Sequence, residues 1–424
     1  MKSFHWFSLW AILFLSSFES VSFETPVGTF RLVHFFVAFC LIVSGAAVLK
    51  GAKRISKNVG SYTLFVIAFI YLIYGPFTLI YSYYPKGTIT MALGQLCNVV
   101  IFFYCYGVLV IYPSFYARLP NLVVSNIQFQ SILVVCHFFL IAFGIIPSGD
   151  AGYGIGGLGR PGAFFGDPNW FSEYVIVLFL MALYFYKDGR ISHSKIMKLC
   201  CIISFDFILT ESRVALIILV VTLYLFFFKP ENRKVITITV IIPLFILILA
   251  IGGDVKSLLP SRFYYDLLDY QDNPRLNDIN NLVTEITFYH RFQYGFGWGA
   301  LPFIADTYYW RNYQGSINVM PVQILFDFGF TGLTIFTIIF FITLRRYKNR
   351  LLRFAFFTLM FFNIFHMSGY MQFYWVLLAF VLFLSRNEKS PIYNVRTTSR
   401  LIRRTLPQFE EDERKVAAAA LLSS

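Results

Sequence analysis

The sequence predicts an all-α bundle that spans a membrane, and three observations lead there. Of the 424 residues 58% are hydrophobic and only 13% charged, whereas a soluble domain carries roughly 45–50% apolar and about 25% charged residues. Mean hydropathy is +0.66. Apolar runs long enough to cross a hydrocarbon core of ~30 Å, about 20 residues each, recur along the whole chain. A soluble enzyme is excluded, because a water-facing fold could not hide that much apolar surface.

The runs lie near 5–21, 31–49, 60–82, 89–112, 127–147, 168–186, 196–211, 214–228, 235–252, 318–344, 351–367 and 370–385, which makes about twelve transmembrane helices. The first follows Lys2, contains Glu19 and lacks a clear small-residue cleavage site, so it reads as a retained span ahead of a cleaved signal peptide. Only Glu211-Ser212-Arg213 separates the seventh run from the eighth, which leaves a re-entrant pair as the alternative there.

Alternating the spans with both termini cytoplasmic puts all but nine of the 35 Lys and Arg residues inside, as the positive-inside rule requires. The inner groups include Lys50/Lys53/Arg54/Lys57, Lys187/Arg190/Lys195/Lys198 and Arg345/Arg346/Lys348/Arg350/Arg353. The basic tail over 386–424 is then also inside, where it can touch anionic headgroups of the bilayer. Membrane topology thus absorbs the net charge of +13, and no nucleic-acid partner is implied.

Arg31, Lys86, Arg160, Arg213, Lys256, Arg262, Arg275, Arg291 and Arg311 remain outside. Most are arginine, whose planar fork grips phosphate or carboxylate with two parallel hydrogen bonds. One long extracytoplasmic loop, 253–317, is expected to be partly helical within what reads as a single membrane domain over 1–424. Its acidic residues stand among Tyr264, Tyr265, Tyr289, Trp298 and Trp310. Aromatic platforms beside hydroxyl acceptors suit a sugar, and the plainer alternative is anchoring at headgroup level. The six cysteines all lie in apolar runs without metal-ligand spacing, and no acidic pair of Asp-x-Asp type stands outside, so neither a metal nor another cofactor is implied.

Three segments put glycines and polar groups at the outer ends of spans. Gly156 to Asn169 combines close-approach glycines, Arg160 and Asp167 with Pro168-Asn169, a helix start whose free N–H groups attract an anion. Leu209-Thr210-Glu211-Ser212-Arg213 sets ionisable groups between two spans, where an arginine needs a partner. The third carries His290-Arg291, then Gly295-Phe296-Gly297-Trp298-Gly299, then Asn318, and ends at Gly329-Phe330-Thr331-Gly332-Leu333.

Arg-Pro-Gly-x-x-x-Gly-Asp-Pro-Asn at 160–169, Leu-Thr-Glu-Ser-Arg at 209–213, Gly-Phe-Gly-Trp-Gly at 295–299 and Gly-x-x-Gly-Leu ending at 333 resemble, in the same order, the signature stretches of the O-antigen ligase and polymerase family. The resemblance covers roughly 150–345. It implies a glycosyltransferase at the outer face of a bacterial plasma membrane, acting on a polyprenyl-diphosphate-linked oligosaccharide beside a flippase and a chain-length regulator. It also implies that Arg160 and Arg213 hold the diphosphate; Arg291 is a third candidate for that role, and Asn169 and Asn318 are further substrate-binding candidates. The ligase branch carries a His-Asn pair before the tenth span, and here the pair reads Ile317-Asn318, which favours a polymerase that joins repeat units.

For the proton acceptor the ranking is His290, then Glu211, then Asp167. An imidazole titrates near neutral pH, and Glu211 can instead be neutralised by Arg213. Two alternatives stand beside the polymerase: a ligase of the same family, and a non-enzymatic transporter of a glycan or anion. The transporter would place essential charge within the membrane, where Glu19, Asp206, His137, His366 and Asp327 are the candidates.

Overall fold

The computed structural model describes residues 2–25, 28–58, 73–146, 160–226, 274–301, 304, 320–366 and 371–387. Their helices are α1 (Lys2–Leu15), α2 (Leu32–Asn58), α3 (Pro85–Ile111), α4 (Leu119–Ala142), α5 (Pro168–Lys187), α6 (His193–Thr210), α7 (Arg213–Phe226), α8 (Pro274–Phe288), α9 (Met320–Arg346), α10 (Arg350–His366) and α11 (Gln372–Asn387). Among the described residues four helices, over Pro85–Ile111, Leu119–Ala142, Pro168–Lys187 and Pro321–Arg345, are long and apolar enough to cross a membrane. Large apolar side chains also stand uncovered on helix surfaces, including Ile42 at 86% and Ile217 at 63% exposed. Such faces belong in lipid, and the chain is a helical membrane protein.

The helices follow the apolar runs with shifted bounds: α2 runs on to Asn58 where 31–49 was expected, and α4 covers Leu119–Ala142 where 127–147 was expected. The first run was expected to extend over 5–21, but α1 stops at Leu15. Ser16 and Ser17 turn their hydroxyls back onto the carbonyls of Leu13 and Phe14, at 2.9 and 2.7 Å, and the last backbone bonds shorten to three-residue spacing. Serines that bond the preceding turn compete with helix propagation. Glu19, expected inside the span, lies beyond the helix and forms an ion pair with Arg31 at 2.8 Å.

A small hairpin also stands where only a connection was expected. Strands β1 (Ser22–Thr25) and β2 (Gly28–Arg31) pair antiparallel, with Phe23 opposite Phe30. Aromatic and β-branched residues at alternate positions suit a pleated surface, but four-residue strands are too short to register as a periodic signal. The expected third span, 60–82, lies mostly outside the described residues, as do the ninth span over 235–252, the loop segment 253–273 and the tail beyond 387. Within 253–317 the described residues include α8, over Pro274–Phe288.

α5 sits at the centre. It packs against α4, α6, α7, α10 and α11, and every side chain from Phe171 to Phe185 is buried. A helix that is apolar on all sides belongs in an interior. Its start is fixed by Asp167, whose carboxylate accepts from Asn169 N at 2.6 Å, and by Pro168 in the first turn. α3 lies between α2 and α11 in the same apolar core. Two smaller clusters stand apart from that core, built from Leu282, Phe296 and Phe326 and from Trp298, Ile324 and Phe328.

Candidate functional site

The first two signature segments meet at the start of α5. Arg160 is buried, 7% exposed, and its Nε donates to the carbonyl of Thr210 at 2.8 Å. Its Nη2 reaches the carbonyl of Glu211 at 3.4 Å and Asn169 Oδ1 at 3.5 Å. Thr210 is the last residue of α6, and Glu211 follows it in the left-handed region at φ 49°. The guanidinium therefore satisfies carbonyls that a helix end leaves without partners, and its charge lies at the negative end of the α6 dipole.

Other polar contacts close the same knot. Ser212 Oγ donates to Asn169 Oδ1 at 3.5 Å, and the hydroxyls of Ser172 and Thr210 lie 3.1 Å apart. Arg213 opens α7, so the N-termini of α5 and α7 and the C-terminus of α6 come together around one buried arginine. Glu173 was not among the sequence candidates, yet it is fully buried on α5, four residues beyond Asn169 on the same face. An ionisable side chain inside an apolar run is the signal that could have found it.

The turn at 163–166 is tied to the N-terminal segment. Ser20 donates to the Phe164 carbonyl through both its backbone N, at 2.9 Å, and its hydroxyl, at 2.8 Å. Phe164 stacks on Phe18 with ring centroids 4.4 Å apart. Glu19, one residue on, also accepts from Gln372 N at the start of α11, at 3.1 Å. Arg31, predicted only as one of several outer cations, thus belongs to a polar cluster that anchors the hairpin to α11.

The third and fourth segments meet elsewhere, as backbone against backbone. α9 is broken at Gly329, whose φ of 64° and ψ of −167° interrupt the helix. At the break, Phe296 N donates to the Phe326 carbonyl at 2.7 Å and Gly297 N to the Asp327 carbonyl at 3.0 Å. In the opposite direction Phe330 N donates to the Phe292 carbonyl at 2.7 Å. Unwound backbone inside a membrane protein must find such partners. A Cβ at Gly329 would stand 2.4 Å from the Gln293 carbonyl group, and one at Gly295 would stand 2.4 Å from the Phe326 oxygen. On its other side the loop is pinned by Trp298 N to Thr78 Oγ1 at 3.1 Å and by Tyr83 N to the Phe296 carbonyl at 2.9 Å.

His290 and Arg291 sit at the entrance to this loop. His290 is exposed and left-handed at φ 53°, just past the end of α8, where Arg291 N bonds back to the Ile286 carbonyl at 2.9 Å. The Arg291 guanidinium lies 4.8 Å from the centroid of the Tyr83 ring. Of the predicted site residues, the structure brings Arg160, Asp167, Asn169 and Glu211 together with the start of the Arg213 helix. It sets His290 and Arg291 beside the separate clusters around Phe296 and Trp298. Asn318 lies outside the described residues. Among the described residues no cluster of His, Cys, Asp or Glu is arranged to hold a metal.

Asp206 accepts from the Ser131 hydroxyl of α4. Asp327 accepts from Gln323 Nε2 at 2.9 Å on the first part of α9. No family model matches the chain, and no curated protein matches it in sequence.

Proposed function

We propose that the protein is a membrane glycosyltransferase that joins polyprenyl-diphosphate-linked repeat units of a surface polysaccharide at the outer face of a bacterial plasma membrane. The observation that carries the reading is the Arg160 knot: two stretches some fifty residues apart, each similar to a signature of the ligase and polymerase family, are tied to one another by an arginine at converging helix ends. Two helix N-termini beside arginine make a favourable setting for a diphosphate.

In the proposed reaction an acceptor hydroxyl oxygen forms a bond to the anomeric carbon of the donor sugar. The bond from that carbon to the diphosphate oxygen breaks, and its electron pair leaves with the polyprenyl diphosphate. The hydroxyl proton passes to a base, for which His290 ranks first, followed by Glu211 and Asp167. Charge grows on the bridging oxygen during the step, so fixed positive groups there lower the barrier, and loss of one such group costs on the order of 10²–10³ in rate. Arg213 and Arg291 are the further candidates for that role. Arg160, held by carbonyls, acts in this reading both on the diphosphate and on the position of the α6–α7 turn.

The test is the length distribution of surface polysaccharide in cells whose only copy is wild type, Arg160→Ala or Arg213→Ala, with membrane levels checked. A polymerase leaves a single repeat unit on the surface core in both variants where wild type leaves a ladder. Loss of surface glycan with long lipid-linked chains accumulating identifies a ligase instead. An unchanged ladder removes both arginines from the chemistry.

A second reading rests on a different observation. A helix broken at Gly329 beside a fully buried Asp327 is a feature that transporters use for binding sites in the membrane. Under it Asp327→Asn abolishes glycan or anion transport into vesicles, and the purified protein forms no covalent product from lipid-linked oligosaccharide.

A further inference from the structure

The end of the bundle opposite the Arg160 knot contains a cavity that neither reading uses. α5 ends there at Lys187, α7 at Phe226 and α9 at Arg346, and α10 begins there at Arg350. Between these termini lies a cavity of about 520 Å³, within the range of sites that hold a small ligand or a lipid headgroup.

Its lining divides into two chemistries. Lys187, Arg350 and Arg353 supply three cations, and among the described residues no acidic one lines it. Asp188, the nearest acid in sequence, is paired with Arg190 and accepts from the Tyr116 hydroxyl at 3.5 Å. The remaining wall is apolar and includes Phe226, Phe354 and Phe357, with the rings of Phe226 and Phe354 5.9 Å apart. Lys187 Nζ lies 4.8 Å from the Phe226 ring centroid, where the two chemistries meet. Asn349 Oδ1 caps α10 by accepting from Leu351 N at 2.8 Å and Leu352 N at 3.3 Å, which fixes the orientation of that helix start. Arg353 is held by the Tyr347 carbonyl, at 2.9 Å from Nε, so its guanidinium has a set position.

We infer that this cavity is a binding site for an anionic phospholipid, with the phosphodiester among Lys187, Arg350 and Arg353 and an acyl chain along Phe226, Phe354 and Phe357. Charge complementarity selects the headgroup. The apolar wall selects a lipid over a soluble anion, and the position at helix termini is the depth at which headgroups lie. Basic pockets between transmembrane helices bind anionic lipids on these grounds. Such a lipid would bridge α5, α7, α9 and α10, and so tie the central helix to the helix that carries the Gly329 break. The inference is independent of the proposed transferase activity.

The experiment uses the full chain purified in detergent, with lipid retention read by native mass spectrometry and unfolding followed thermally. Phosphatidylglycerol, phosphatidylcholine and a short polyprenyl diphosphate are added separately to wild type and to the double variant Lys187→Gln/Arg350→Gln. Both substituted side chains are exposed and outside the transferase candidates. Wild type is expected to retain phosphatidylglycerol in preference to phosphatidylcholine and to unfold at a higher temperature with it. Each lost cation should weaken that binding by about fivefold, so the double variant should lose most of the preference. Phe357→Glu, which leaves the cations in place, should weaken retention of the same lipid. Equal retention of the two phospholipids by wild type overturns the inference, and so does an unchanged preference in a folded double variant. Retention of the polyprenyl diphosphate above phosphatidylglycerol, lost with the same two cations, would also overturn it, because the site would then be for the carrier lipid.

Discussion

The Arg160 knot and the Gly329 break face the same physical problem and solve it differently. In both, a helix ends within apolar surroundings and leaves backbone groups that must be bonded. At the end of α6 a charged side chain supplies the donors, with Arg160 bonding the carbonyls of Thr210 and Glu211. At the break in α9 another stretch of backbone supplies them, and the approach is close enough that only glycine fits at Gly295 and Gly329. A side-chain solution keeps a positive charge beside the helix ends, where an anion can use it. The backbone solution is neutral and rigid, and it fixes where His290 and Arg291 enter the loop.

The largest expected effect breaks the backbone side of that comparison. Gly329→Ala adds a Cβ 2.4 Å from the Gln293 carbonyl group at a position with φ of 64°. Strain and overlap together should destabilise the protein by about 3 kcal/mol. Thermal unfolding in detergent is expected to show a clear loss, with reduced levels in the membrane. Gly94, whose Cβ would meet nothing within 4 Å, is the control, and Gly94→Ala should be tolerated. If both glycines accept alanine equally, the backbone docking at the break is not what holds the loop.

On the side-chain half, Arg160→Ala leaves two helix-end carbonyls without their donor and should cost about 2 kcal/mol of stability. Arg160→Lys sharpens the point, because lysine keeps the charge but cannot reproduce the fork that bonds two carbonyls at once. If the fork matters chiefly through the α6–α7 turn, lysine should leave both stability and chain elongation close to those of alanine. If charge near the diphosphate dominates, lysine should restore most of the elongation while unfolding stays as low as in the alanine variant. Measuring the two properties on the same preparations separates positioning from direct stabilisation of the leaving group.

Much of the fold was legible because length and apolarity alone place a helix in a membrane. α3, α5 and α9 follow their predicted runs within a few residues. What stayed hidden depends on short-range competition or on distant partners. Nothing in the apolarity of 5–21 reveals that Ser16 and Ser17 would bond their own helix and end it at Leu15. Glycines at alternate positions 295, 297 and 299 mark close approach, but not that the approaching chain is the break in α9. Asp167 and Arg160 were found by residue type and position, whereas the carbonyls that hold Arg160 are backbone groups with no sequence signature.

A smaller effect is expected at Asp167, where capping and catalysis predict different things. Its carboxylate accepts from Asn169 N at 2.6 Å and starts α5. Asp167→Ala should cost about 1 kcal/mol as a lost cap, while Asp167→Asn keeps an acceptor and should unfold almost as wild type does. A proton acceptor, by contrast, fails with either substitution. Chain elongation by a stable Asp167→Asn protein would assign the residue to the helix start and remove it from the base candidates.

The smallest structural effect falls at His290, and it bears most directly on how the two regions divide the work. The residue is exposed and left-handed at the end of α8, a position that asparagine or glycine occupies with less strain than histidine. His290→Asn should therefore change stability by less than about 1 kcal/mol. The imidazole can accept a proton and the asparagine amide cannot, so the substitution separates a base from a helix cap. If elongation of lipid-linked repeats by the purified His290→Asn protein falls a hundredfold or more while unfolding is unchanged, the neutral loop supplies the base and the arginine knot holds the diphosphate. If elongation survives, His290 is a helix cap, and the base has to be sought at the knot itself, with Glu211 next in order.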